Sequence, residues 1–279
     1  MVGSRRGWSY RVSRGLFLLI LTAGALVMLI PFAWTVSTAL KPLSLSLAFP
    51  PVWWPHPFAW NNFVQVFQLV PLAHWFMNSG IVAGAVTVGN LIFDSLAGYA
   101  LARIDFKGRT LVYVGTLAMM MVPFQAVMLP VYLLLRQLGL LNTYWGMILP
   151  TLVSSMGVFL MRQAFLNLPQ ELDDAAIMDG CGRLRMFWQI ALPQVTPTLL
   201  TLALLTFVGA WNNFLLPLLV ANQPSLWTLQ LGIVEFQSQY ATNWPLLMAA
   251  SVLITLPIAV IFLIFQRWFV RGIVMTGIK

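Results

Sequence analysis

Apolar and polar positions along this chain fall into long blocks, not into the short alternation of strands. From Gly15 to Leu40 no charged residue occurs over 26 positions. At about 1.5 Å per residue a helix of that length reaches about 39 Å, enough to cross a hydrocarbon layer with tilt. Comparable blocks recur along the chain and predict helices near 15–37, 76–101, 111–134, 143–161, 199–220 and 246–268. The fifth is delimited by punctuation. Met186 to Val234 carries no charge at all, and Pro193, Pro197 and the polar run NQPS at 222–225 divide it. The expected fold class is an all-α integral membrane protein of six transmembrane helices, with residues 1–279 as a single domain.

Composition supports lipid as the solvent. The chain is 60% hydrophobic and 8% charged, whereas soluble domains carry about 25% charged residues. Arg5 to Arg14 followed by apolar residues is also how a secretory signal begins, and Ser37-Thr38-Ala39 offers small residues for cleavage. The apolar block is too long for that, because a signal's apolar region spans about 7–15 residues. A retained membrane helix is expected.

The formal charge of +8 matters less than its placement. Thirteen of the fifteen basic residues fall in four clusters: Arg5, Arg6, Arg11 and Arg14; Arg103, Lys107 and Arg109; Arg162, Arg183 and Arg185; Arg267, Arg271 and Lys279. Six spans place all four clusters and both termini on one side, the cytoplasmic side by the positive-inside rule. No basic face exists outside these flanks, which excludes nucleic acid as a partner. Segment 38–75 then lies outside with His56, His74, Trp53, Trp54 and Trp60, and segment 221–244 joins it with Glu235. Two isolated histidines without a cysteine or clustered carboxylate do not make a metal site. The tryptophans suit the membrane–water boundary. The single cysteine, Cys181, excludes an intramolecular disulfide and reads as a packing residue.

Scarce negative charge is concentrated in one place. Four of the seven acids fall in ELDDAAIMD, as Glu171, Asp173, Asp174 and Asp179. Pro169 and Gly180 suit the start and end of a short helix. Leu172, Ala175, Ala176 and Asp179 share a narrow face at helical spacing, small enough in its middle for close approach of another surface. An amphipathic helix lying on anionic headgroups carries large apolar and basic residues instead. A docking element for a cytoplasmic partner fits better.

The stretch ELDDAAIMDGCGRLRMFWQIALPQVTP resembles the signature loop of bacterial ABC importer permeases. Asp174-Ala175-Ala176, Asp179-Gly180, Ile190, Leu192, Pro193 and Pro197 match its pattern in register, with Asp174 standing where the family has glutamate. NNFVQVF, WFMNSGIVAGAVTVGN, LAGYALARIDFKGR, LPVYLLLRQLGLLNTYWGMILP, WNNFLLPL and FQRWFVRGIVMTGIK extend the likeness to the maltose-transporter-type carbohydrate permeases, closest to the six-helix subunit of that pair. The resemblance implies a bacterial cytoplasmic-membrane permease that moves a sugar or oligosaccharide by alternating access. It implies a second permease subunit, two ATP-binding subunits and an extracytoplasmic solute-binding protein as partners. It also implies that the cytoplasmic loop 167–197, between helices 4 and 5, carries a coupling helix. Glu171, Asp174, Ala175, Ala176, Asp179, Gly180, Ile190, Leu192 and Pro193 are then the ATPase-docking residues. None of the three lysines follows a glycine, so the chain has no P-loop. ATP and its Mg²⁺ belong to the partner, and this chain needs no cofactor of its own.

Inside the spans, Asn90, Gln125, Asn212 and Asn213 are the candidates for a substrate path, since amides both donate to and accept from hydroxyls. The same residues also bridge packed helices, and both uses stay open. Pro123 and Pro217 offer freed backbone groups nearby. Asp94 is the one acid expected within a span. It lacks a His or second carboxylate for a proton relay, which favours a structural hydrogen bond to a neighbouring helix. An ion-coupled carrier built on Asp94 is the rival class, and an ABC permease for another solute the rival within the class. Neither G-x-S-x-G nor H-E-x-x-H occurs, and no enzyme is expected.

Overall fold

The computed structural model describes residues 4–277, with side chains described from 14 to 264. Lys279 and the side chains of Arg5, Arg6, Arg11, Arg267 and Arg271 lie outside the described residues. Every regular element among those described is helical. In chain order the α-helices are α1 (Ser4–Ala39), α2 (Leu43–Ser46), α3 (Asn61–Leu69), α4 (Leu72–Arg103), α5 (Arg109–Met120), α6 (Phe124–Gln137), α7 (Tyr144–Ile148), α8 (Ser155–Leu166), α9 (Glu171–Met178), α10 (Arg183–Met186), α11 (Leu192–Gln194), α12 (Thr196–Trp211), α13 (Leu215–Val220), α14 (Leu229–Gln239) and α15 (Trp244–Gly277).

Three helices are long and apolar enough to cross a membrane: Arg14–Ala39, Leu72–Arg103 and Trp244–Ile264. The expected spans at 111–134 and 143–161 are not straight helices, the helix in the expected span 199–220 stops at Trp211, and a further bend lies just before that span, at Val195. The pairs Arg109–Met120 with Phe124–Gln137, Tyr144–Thr151 with Ser155–Leu166, and Arg183–Gln194 with Thr196–Trp211 bend by 104°, 43° and 83°. Counting each pair once gives six spans.

Each bend has a local cause. Pro123 disfavours helical backbone at Val122 and sits extended (ψ 141°) at the start of α6. The second break lies between the 3₁₀ turn Leu149–Thr151 and Ser154, whose hydroxyl accepts the Gly157 N–H at 2.9 Å and so starts α8. At the third, Pro193 and Pro197 lack the N–H groups that a continuous helix needs. The backbone takes a π register over Phe187–Ala191 instead. The Thr196 hydroxyl donates to the Pro193 carbonyl at 2.7 Å. The fifth expected span ends early because Asn212 turns back onto the Val208 carbonyl, while Asn213 accepts the Leu216 N–H and opens α13.

The chain gathers into two compact units, Met1–Val70 with Phe236–Thr255, and Pro71–Glu235 with Leu256–Lys279. In the first, every described side chain of α1 from Arg14 to Ala33 is exposed. A helix apolar all round and exposed all round belongs in lipid or against another chain. Beyond it, segment 40–60 folds back onto the helix end. Asn62 donates to the Ala39 and Lys41 carbonyls at 2.8 and 2.9 Å, and the Lys41 ammonium lies 3.8 Å from the Trp34 ring centroid. Burial pushes the Lys41 pKa below the ordinary lysine value.

In the second unit α4 is the central element, with α8 and α12 packed against it. One core surrounds Val82, Val86, Met147, Ile148, Leu216 and Val220, and another surrounds Tyr99, Met161, Phe165, Phe187, Ala191 and Leu202. Lipid gives helices no hydrophobic reason to associate, so small residues that allow close approach decide which faces meet. Gly98 does this for α4 and α8: a Cβ there falls 2.8 Å from Met161 Cβ and from the Arg162 backbone nitrogen.

Candidate functional site

The loop 167–197 joins α8 to α12, and α9 is its main element. The Gln170 carbonyl accepts the N–H groups of Asp173 and Asp174 at 2.9 and 3.1 Å, so the helix begins at Glu171 with Pro169 just outside it. Glu171, Asp173 and Asp174 fall in its first turn, where the unpaired N–H groups favour negative charge. Its end is a Schellman motif. Gly180 is left-handed (φ 71°), its N–H meets the Ile177 carbonyl at 3.0 Å, and the Cys181 N–H meets the Ala176 carbonyl at 2.9 Å.

The expected docking residues divide by exposure. Glu171, Asp174, Ala175, Asp179, Gly180 and Pro193 are exposed; Ile190 and Leu192 are half-buried; Ala176 is buried at 4% exposure. Ala176 therefore faces inward and seats the helix, which splits the narrow face expected from spacing. Ile177 and Met178 are exposed beside the acids, at 63% and 87%. This gives the outer surface of α9 an apolar as well as an acidic part.

Asp173 points the other way. Its carboxylate accepts from Arg103 Nη1 at 2.9 Å, with the two side chains only 20% and 10% exposed. Arg103 also donates to the Phe165 carbonyl from Nε (3.0 Å) and Nη2 (2.6 Å), and from Nη2 to Leu168. In the sequence Arg103 looks like one member of a basic flank. Nothing in a 70-residue separation signals the pairing.

The second feature is a cavity of about 280 Å³ between α4, α8 and α12. Asn90, Thr151, Ser154, Thr206 and Asn213 supply its polar lining, with Leu205 among the apolar walls. Of the four path candidates, Asn90 and Asn213 are brought together here, with Pro217 beside them. Gln125 and Asn212 are exposed and line no part of it. Asn90 also bridges helices: its amide N–H groups donate to the Val86 and Thr151 carbonyls at 2.9 and 2.7 Å. Asn212 accepts from Gln230 Nε2 at 3.1 Å. A cavity of this size is at the lower edge of the range of small-molecule sites.

Asp94 sits behind the cavity wall with 0% exposure. Its two carboxylate oxygens accept the Ser154 N–H and hydroxyl, each at 3.0 Å, at the N-terminal end of α8. A Cβ on Gly157 would collide with its Oδ2. This is the structural hydrogen bond to a neighbouring helix that an isolated carboxylate favours. No group of three or more His, Cys, Asp or Glu residues able to hold a metal occurs among the described residues. His74 instead contacts the Ser225 carbonyl through Nε2 at 2.6 Å. Beside it, buried Asn78 donates to the Ser225 and Trp227 carbonyls at 3.0 and 2.9 Å and accepts the Tyr144 hydroxyl at 2.6 Å, fixing the turn at 224–228.

Comparison with known proteins adds to this geometry. Residues 94–275 match the family described as binding-protein-dependent transport system inner membrane component. The chain is 38% identical over 264 residues to the arabinooligosaccharides transport system permease protein AraQ of Halalkalibacterium halodurans, covering 94% of this chain and 93% of that one. It is 34% identical over 253 residues to the sulfoquinovosyl glycerol transport system permease protein SmoH of Agrobacterium fabrum, covering 90% and 89%. Its fold superposes on a chain of a bacterial ABC transporter involved in the import of the acidic polysaccharide alginate with a TM-score of 0.81, at 22% identity, covering 96% of this chain and 99% of that one. A helical chain with a lined cavity and an exposed acidic loop, with this match over most of its length, belongs to the binding-protein-dependent transport system inner membrane component family, and is a membrane permease subunit and not an enzyme.

Proposed function

We propose that this permease subunit moves a sugar or oligosaccharide across the bacterial cytoplasmic membrane by alternating access, driven by ATP hydrolysed on separate subunits. One observation carries the mechanism: the loop that presents α9 runs directly from α8 into α12, and both helices line the cavity. A partner that displaces this loop pulls on two cavity walls together. Glu171, Asp174, Ala175, Asp179, Gly180 and Pro193 offer the exposed docking surface, with Ile190 and Leu192 half-buried and Ala176 seating the helix. That no Gly-Lys-Ser/Thr motif occurs in this sequence supports the reading that ATP and Mg²⁺ are held by the partner.

The domain is a single permease domain with six spans, the three bent pairs each counting as one, and both termini in the cytoplasm by the positive-inside rule. A second permease subunit covers the exposed apolar surface, of which the described part of α1 is the longest stretch, and completes a transport path too small in this chain alone. Two ATP-binding subunits grip the two coupling loops, and an extracytoplasmic solute-binding protein delivers the solute. The carbohydrate class is supported by the names of the relatives, and Asn90 and Asn213, which line the cavity, are the side chains assigned here to meet hydroxyls.

The test is affinity purification of the tagged chain from its native membrane in mild detergent, followed by mass spectrometry and uptake assays in liposomes. Recovery of a second permease and a P-loop ATPase, with ATP-dependent uptake of radiolabelled arabinooligosaccharide that excess unlabelled sugar but not amino acid suppresses, is the expected result. A chain that purifies alone and transports without ATP refutes the proposal and promotes the ion-coupled carrier. ATP-dependent uptake of a non-sugar solute only would retain the permease and reject the carbohydrate class.

A further inference from the structure

We infer that Arg103 and Asp173 form the joint through which a displacement of α9 reaches the α4–α8 pair, so that they are positioning residues for coupled transport. This rests on the reading that an ATP-hydrolysing partner grips α9. Arg103 is the last residue of α4, and its guanidinium touches three separate segments. Nη1 holds Asp173 in the first turn of α9, Nε and Nη2 hold the Phe165 carbonyl in the last turn of α8, and Nη2 also holds Leu168 in the turn between them. The last carbonyls of α8 have no partners within their own helix. A planar guanidinium with five donors in a fixed fork can serve those carbonyls and a carboxylate together, which a lysine ammonium does less well.

The chain leaving α9 returns to the same place. Phe187 packs 5.2 Å from Tyr99 of α4 and 6.1 Å from Phe165 of α8, while Tyr99 and Phe165 are 5.4 Å apart. Both the entry and the exit of the α9 loop are therefore fixed to one block. Close packing at Gly98 makes α4 and α8 a single body at that level. From Arg103 to Asn90 along α4 is about 20 Å of continuous helix, so a push at α9 arrives at the cavity as a rigid displacement. The acidic cluster is then two devices in one helix. Asp173 faces inward to the joint, while Glu171, Asp174 and Asp179 stay exposed.

The test uses the full transporter in nanodiscs, with Cys181→Ser and Thr206→Cys introduced to report on the cavity. Modification of that cysteine by a water-soluble maleimide is timed without nucleotide and after trapping with ATP and vanadate. The intact joint should give a change in labelling rate of about fivefold or more. Asp173→Asn should reduce it below about twofold while basal ATP hydrolysis and assembly stay near the wild-type level, and Asp173→Glu should restore it. Arg103→Gln should abolish the change. Full nucleotide-dependent change in both Asp173→Asn and Arg103→Gln overturns the joint. If Arg103→Gln fails to assemble, Asp173→Asn decides alone, since it leaves the carbonyl bonds of Arg103 in place: a flat response supports the joint and a full response overturns it. A wild-type complex without an ATPase, or without any nucleotide-dependent change, overturns instead the coupling reading beneath it.

Discussion

Replacing Asp94 separates a structural carboxylate from a proton-carrying one. Asp94→Ala strands the Ser154 N–H and hydroxyl, both of which now end on a carboxylate with no exposure. Two interhelical hydrogen bonds at the membrane average of about 0.6 kcal/mol set a lower bound near 1 kcal/mol. A buried N–H left without a partner sets an upper bound near 3 kcal/mol. For a chain of this length that corresponds to a fall in apparent melting temperature on the order of 5 °C. Asp94→Asn keeps the geometry: its carbonyl accepts the Ser154 N–H, and its amide donates to the Ser154 hydroxyl oxygen. It should cost under about 1 kcal/mol. A thermal-shift measurement in detergent on Asp94→Ala, Asp94→Asn and Ser154→Ala, with the double variant Asp94→Ala/Ser154→Ala, gives the coupling between the two side chains. The double variant should cost less than the sum of the singles. ATP-driven uptake in liposomes should survive Asp94→Asn. Loss of uptake in a well-folded Asp94→Asn protein, or equal destabilisation by Asn and Ala, would refute the capping role.

Other positions give independent checks. Gly98→Ala puts a methyl 2.8 Å from Met161 Cβ and the Arg162 nitrogen, and should destabilise by about 1–3 kcal/mol in the same thermal assay. Asp174→Lys reverses charge on an exposed position of α9; it should leave the melting temperature within about 1 °C of wild type yet abolish co-purification of the ATPase. Asn90→Leu removes the bridge from α4 to the Thr151 carbonyl and one polar group of the cavity, so it should lower both stability, by about 1 kcal/mol, and uptake. Gly180→Ala forces a Cβ into the left-handed conformation at φ 71° and should cost about 1 kcal/mol, read as a small drop in thermal stability.

Length and uninterrupted apolar character made the spans at 14–39, 72–103 and 244–264 readable, because a helix satisfies its backbone internally and needs only length to cross lipid. The local punctuation of α9 was readable for a related reason. Its left-handed glycine and the crowding of acids in its first turn are properties of neighbouring residues. Of the three breaks, the first and third were legible as prolines, whereas the second rests on a 3₁₀ turn and the Ser154 cap. A proline states that the ladder is interrupted, whereas the angle of 104°, 43° or 83° depends on what packs against each half. Among the amides, Asn90 and Asn213 share a cavity and Gln125 and Asn212 do not, a division that residue type alone could not make.

The sequence by itself determined the solvent, the helical class, the clustering of the charge and the short acidic helix in the loop that joins α8 to α12. These follow from composition, from runs of consecutive residues and from spacings of three or four, all carried by neighbours in the chain. Only the tertiary structure decided that Asp173 turns inward to Arg103 while Asp174 stays exposed, that Asp94 caps α8 through Ser154, and that Ala176 is buried while Ala175 is not. Each depends on groups brought together from distant positions: 70 residues apart for Arg103 and Asp173, and 60 for Asp94 and Ser154. A hydrogen bond or ion pair of that separation exists only once the packing of α4 against α8, set by small residues such as Gly98 and Gly157, has fixed which faces meet.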